Sequence, residues 1–127
     1  MDMVTNKKGL SLMLIDNDNH VRESLNVFFG VSHSDFLSFK SGEEGLNALK
    51  YQKVDVLISD YFLPDMDGLA FLIQAAGLQP EVIRILMATI TSEELERQIL
   101  ASGIDRFIEK PLTVATLDTV INELLPE

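Results

Sequence analysis

The chain has 127 residues, 46% of them hydrophobic, a formal charge of −10 from 10 Lys+Arg against 20 Asp+Glu, and no cysteine. These values suit one domain over residues 1–127 with a sizeable core. They exclude disulfides and thiolate metal sites, and they disfavour nucleic-acid binding, which needs clustered cations. No apolar stretch is long enough to span a bilayer, and the polar start lacks the apolar region of a signal peptide, so a cytoplasmic location is expected, with about residues 1–8 poorly ordered.

Strand and helix signals then alternate five times. Leu10 to Ile15 is a short apolar run and reads as the first strand. Asn19 to Phe29 has Val21, Leu25 and Phe28 at helical spacing and stops at Gly30. Ser34 to Phe39 is a weak second strand. Ser41 with Glu44 three positions on is a capping box, opening a helix to about Lys50. Val54 to Ser59 is a third strand; after the turn residues Pro64 to Gly68 a helix runs to about Ala76, with a stop at Gly77. Val82 to Ala88 is a fourth strand. Thr91 with Glu94 is another capping box, opening a helix that ends near Gly103. Arg106 to Ile108 is a short fifth strand. After Pro111, Val114, Leu117, Val120, Ile121 and Leu124 form the apolar stripe of a last helix.

The pattern is (βα)5. It predicts an α/β fold with a doubly wound, parallel five-stranded sheet, flavodoxin-like, in strand order 2-1-3-4-5. No Gly-rich dinucleotide fingerprint and no P-loop is present. The strands run into Asp16, Asp60, Thr89 and Lys110, and ligands of such sheets bind just beyond the strands' carboxyl ends. Asp16, Asp18 and Asp60 would crowd one edge. Two like charges about 4 Å apart repel by roughly 4 kcal/mol at an effective dielectric near 20. Lys110 offsets part of that, and a divalent cation relieves the rest. Oxygen-only ligands favour Mg²⁺. A carboxylate can act as a nucleophile toward a phosphoryl group, with a lysine and a hydroxyl pairing its oxygens.

Four stretches carry a family resemblance: Leu12 to Asp18, Asp55 to Gly68, Met87-Ala88-Thr89, and Phe107 to Pro111. In this order and spacing they resemble the receiver domain of two-component response regulators, similar to the chemotaxis response regulators, over almost the whole chain. The resemblance implies Asp60 as phosphoacceptor and Mg²⁺ held by Asp16, Asn17, Asp60 and the Phe62 backbone carbonyl, with Asp18 as a further candidate. It implies Thr89 as the switch hydroxyl, Lys110 as the phosphate-pairing lysine, Lys110-Pro111 as a cis peptide and Phe107 as the aromatic that changes rotamer. The implied partners are a sensor histidine kinase or phosphotransfer protein, and an output domain or protein on the face of helix four, strand five and helix five. A phosphorylation-linked homodimer is also implied; a membrane or direct nucleic-acid partner is not.

Two positions depart from the family pattern. Asn17 stands where a second acid is usual, which removes a negative charge and predicts weaker Mg²⁺ binding. Ile90 follows Thr89 where a small residue is usual, and would narrow the path to Asp60. Both support an alternative: a degenerate receiver serving as a phosphorylation-independent interaction module. A carboxylate-dependent phosphatase is disfavoured, because Phe62 occupies the position two after Asp60 where that class places its second acid, so no turnover of outside substrates is expected. Asp65 and Asp67 read as turn residues, His20 and His33 as surface or capping histidines, and Glu93, Glu94, Glu96 and Arg97 as a solvated helix face.

Overall fold

The computed structural model describes residues 10–30 and 35–124. Ten elements alternate: β1 (Ser11–Ile15), α1 (Asn19–Gly30), β2 (Asp35–Phe39), α2 (Gly42–Leu49), β3 (Val56–Asp60), α3 (Gly68–Leu78), β4 (Ile83–Ala88), α4 (Glu93–Ala101), β5 (Arg106–Glu109) and α5 (Val114–Leu124). The strands form one sheet in the order β2-β1-β3-β4-β5, every pair parallel, as the alternation predicts. Residues 1–8, His33, the Ser34 start of the second strand and the Leu125-Pro126-Glu127 end lie outside the described residues. Among the described residues no helix is long and apolar enough to cross a membrane.

Successive residues of a strand point to opposite faces, so the central strands must be apolar on both. Leu12, Leu14, Val56, Ile58, Ile85 and Met87 face one side and pack with Leu25 and Phe29 of α1 and Leu117 and Ile121 of α5. Met13, Ile15, Leu57 and Leu86 face the other and pack with Leu49 of α2, Phe71, Leu72 and Ala75 of α3, and Leu95 and Ile99 of α4. Each fully buried Leu or Ile in these layers contributes about 2 kcal/mol. That two-sided burial fixes the register, and the register fixes where each strand runs out.

Several boundaries differ from the sequence reading. β3 begins at Val56 rather than Val54: Val54 N–H donates to the Gln79 side chain, while Asp55, whose N–H donates to Ser11 O and whose carbonyl accepts the Ile83 N–H, leads into the strand. It ends with Asp60 inside the strand, level with Met87 of β4. α3 runs through Gly77 to Leu78; a glycine ends a helix by adopting positive φ, and among the described glycines only Gly103, after α4, does so (φ 82°). β5 extends one residue further, to Glu109. The cap of α4 is Ser92, not Thr91: Ser92 Oγ accepts the Leu95 N–H at 3.1 Å. Ser41 caps α2 as expected, accepting from Glu44 N–H at 3.2 Å, but the Glu44 carboxylate reaches Lys40 N–H rather than closing the box on Ser41. Asp67 caps α3 through Ala70 N–H at 2.7 Å.

Candidate functional site

Three bonds carry the parallel ladder past the named strands and pin their ends. Asp16 N–H donates to Phe39 O, Tyr61 N–H to Met87 O and Lys110 N–H to Ala88 O, at 2.8–3.0 Å. Ile15 pairs with Ser59, so Asp16 stands beside Asp60. Ala88 pairs with Glu109, so Thr89 stands beside Lys110. A cleft of about 750 Å³ opens over these ends. It is lined by Asp16, Asn17, Asp18, Asp60, Phe62, Thr89 and Lys110, with Val21, Met87, Pro111 and Leu112. The Lys110–Pro111 peptide is cis.

At the floor, Lys110 Nζ lies 2.8 Å from Asp60 Oδ1. The contact is an ion pair, and Oδ1 is buried with no hydrogen bond reaching it. Asp60 is 5% exposed and Asp16 2%, so two carboxylates share a poorly hydrated floor with one ammonium. Burial pushes the Asp16 carboxyl above its ordinary value of 3.8; the hydrogen bond from Asp18 N–H pulls it back, the charge of Asp60 adds to the rise, and Lys110 opposes it. Asp18 has a local role, since its Oδ1 accepts the His20 N–H at 2.8 Å in the first turn of α1. Asn17 and Thr89 are exposed at the rim.

The expected residues therefore fall into two groups. Asp16, Asn17, Asp18, Asp60, Phe62, Thr89 and Lys110 converge on the cleft. Phe107 does not line it; it is half-buried against the core beneath α2, α3 and α4. Ile90 packs against that same core and is not among the lining residues, so it does not narrow the path to Asp60. The Phe62 ring is exposed and stands edge-on to Tyr61, while its backbone bridges to Asp67.

Three supporting roles were not anticipated. Arg22 donates to the Asp16 carbonyl at 2.6 Å and to Asn19 Oδ1 at 3.1 Å, bracing the loop after β1. Asp65 lies in the bend after β3, as a turn residue should, and its two oxygens also accept the Gly42 and Glu43 N–H groups at 2.9 and 2.8 Å, tying that loop to the start of α2. Desolvation is the largest single influence and raises the Asp65 carboxyl, but hydrogen bonds from the Glu43, Gly42 and its own backbone together outweigh it and hold the group below the ordinary 3.8. Gly68 packs so closely under the end of β3 that a Cβ there would lie 1.9 Å from Asp60 O, and its N–H donates to Tyr61 O at 2.6 Å. The Pro64 to Gly68 turn signal marked this glycine, but not its contact with Asp60.

Among the described residues no group of three or more His, Cys, Asp or Glu side chains converges on metal-holding geometry. The donors available are the buried Asp16 and Asp60 carboxylates, the exposed Asp18 carboxylate, the Asn17 amide and backbone carbonyls, with one buried carboxylate oxygen lacking a hydrogen bond. Mg²⁺ keeps several waters and uses only one or two carboxylates, so this donor set fits it.

The fold and cleft define a flavodoxin-like α/β protein with an acidic site at the carboxyl edge of its sheet. Over residues 12–122 the chain matches the profile of the response regulator receiver domain, and it belongs to that family. It is 28% identical over 116 residues to the transcriptional regulatory protein AfsQ1 of Streptomyces coelicolor, covering 91% of this chain and 51% of that protein. It is 30% identical over 119 residues to the transcriptional regulatory protein GltR of Pseudomonas aeruginosa, covering 92% of this chain and 49% of that protein. The chain thus spans about half the length of these curated relatives. In fold it is similar to the chemotaxis response regulator CheY4 of Vibrio cholerae, with a TM-score of 0.83, 21% identity, and coverage of 93% and 100% of the two chains.

Proposed function

We propose that Asp60 accepts a phosphoryl group, with Mg²⁺ as cofactor, and that the modification switches a protein-interaction surface. The observation that carries this reading is the Lys110–Asp60 contact of 2.8 Å on a floor shared with buried Asp16. An Asp60 carboxylate oxygen attacks phosphorus, the bond from phosphorus to the donor's leaving atom breaks, and that atom leaves with the electron pair and is protonated from solvent. The donor class is a phosphohistidine of a sensor kinase or phosphotransfer protein. Lys110 transfers its charge from the carboxylate to a phosphoryl oxygen, and Thr89 hydrogen-bonds another. Asp16, Asn17, Asp60 and the Phe62 carbonyl would hold a Mg²⁺ ion, which would neutralise phosphoryl charge there.

The phosphoryl group brings about two negative charges and three acceptor oxygens. Thr89 at the end of β4 and Phe107 on β5 are the elements it biases, so the responsive surface is α4, β5 and α5. There an output domain, an output protein or a second phosphorylated copy docks. The chain turns over no outside substrate, and it works in the cytoplasm, where such kinases phosphorylate.

Treatment with acetyl phosphate or phosphoramidate and Mg²⁺, followed by intact mass measurement, tests the reading. Wild type gains one phosphoryl group and Asp60→Asn gains none. A wild-type chain that stays unmodified would instead make this a constitutive interaction module, the reading that Asn17 favours.

A further inference from the structure

Away from the cleft, α3 differs in kind from the other helices. Its eleven residues include no charged side chain, and Gln74 is its only polar one. Each of the other four helices carries at least two charged side chains. In a chain of net charge −10 this is an uncharged island. A helix apolar around its whole circumference is normally covered on every side. α3 is covered on one: Phe71, Leu72 and Ala75 are fully buried against the sheet, while Ile73 and Leu78 remain 52% and 43% exposed.

Gly77 lies on the same exposed side. A Cβ built on it would meet nothing within 4 Å, and its φ is not in the left-handed region. Glycine inside a helix is less stable than alanine, so this one weakens α3 with no compensating contact inside the fold. What it provides is a notch beside Leu78. The notch opens into a groove of about 1060 Å³ between α2 and α3, where Leu46, Met66 and Leu78 supply apolar surface. Glu43, Glu44 and Asp65 line the end at the start of α2, with Lys50 at the other end.

We infer that the α2–α3 groove docks an amphipathic helix of a partner protein, seated by an apolar stripe over Leu78 and the Gly77 notch, with Lys or Arg side chains over Glu43 and Glu44. The charge pattern selects this occupant. Three acids against one lysine attract a basic rim, whereas a second copy brings the same acids and the same net charge. The eight residues of α2 give the groove a length of about 12 Å, enough for two turns and an i, i+4, i+7 set of anchors. The inference does not depend on phosphorylation of Asp60.

The test uses the full 127-residue chain, ¹⁵N-labelled, and a designed helical peptide with a leucine stripe and lysine flanks. A peptide with glutamate in place of lysine is the control. Amide shifts are expected in α2 and α3 with the lysine peptide and not with the control. Gly77→Gln fills the notch with a better helix former, so it is expected to weaken the peptide about tenfold while the Tm holds or rises. Glu43→Lys with Glu44→Lys is expected to weaken it further. Shifts that map outside the two helices, equal affinity of Gly77→Gln, or concentration-dependent shifts in the same helices of the chain alone would each overturn the inference, the last in favour of self-association.

Discussion

Both ends of the sheet tie polar side chains to backbone groups, but only the carboxyl end also buries two acids side by side. At the amino end the polar side chains serve the backbone. The Asp55 carboxylate accepts the Ser11 N–H at 2.8 Å, and the Gln79 side chain donates to Leu49 O and Gln52 O while accepting from Val54 N–H. Arg84 donates to Leu72 O and Gly103 O, and its own N–H is received by Asp105. At the carboxyl end two acids are buried together, one carboxylate oxygen lacks a hydrogen bond, and burial raises the Asp16 carboxyl. One end is arranged for stability; the other keeps charge in an unfavourable place, where a cation and an anion can relieve it.

The largest expected effect is on the joint between the two regimes. Gly68→Ala should cost about 3 kcal/mol or more in urea unfolding, because the new methyl meets backbone and not a flexible side chain. A loss near zero would mean that the packing under Asp60 is soft. Next comes Gln79→Ala, which removes three hydrogen bonds to backbone groups at the amino end and should cost about 2 kcal/mol, with the phosphoryl uptake proposed for Asp60 unchanged. At the site itself, Asn17→Asp should tighten Mg²⁺ about tenfold by titration, since it restores a charged oxygen ligand. Equal affinities would show that Asn17 does not face the ion.

The smallest effects are in pH dependence, and they carry opposite signs. Asp16 has a raised carboxyl value in the fold, so the folded chain holds the proton more tightly and the group's contribution to stability falls as pH rises from 3.8 through that value. Asp16→Asn should therefore raise the urea midpoint in Mg²⁺-free solution at neutral pH, and the gain should vanish in acid. Asp65 has a lowered value, so its contribution is present above 3.8 and lost as pH falls through the folded value. Asp65→Asn should lower the midpoint at neutral pH, by an amount that shrinks in acid. Matching signs for the two variants would break the contrast.

Legibility in the sequence followed the range of the interaction. Apolar runs that stop at Asp16, Asp60 and Thr89 revealed the central strands, since two-sided burial leaves a continuous run. Because those runs are parallel, their ends had to meet, so most of the cleft was readable before any coordinate. Asp65 is the turn residue its neighbours predict, but its bonds to Gly42 and Glu43 are not legible, because those partners lie 23 and 22 positions away. Gln79 carried no signal, for its partners lie 25 to 30 positions away. Thr91 and Ser92 are equally plausible caps by composition, and the difference is geometric. Ile90 looked like an obstruction because sequence order alone does not show which side of a loop residue faces the core.

The wedge of Gly68 beneath Asp60 has a mechanical consequence. With its α-carbon against the Asp60 carbonyl and its amide fastened to Tyr61, the first turn of α3 acts as an anvil under the end of β3. A group added to the Asp60 side chain cannot push that backbone aside. The room to adjust lies on the other side, in the cleft that reaches the exposed rim at Thr89.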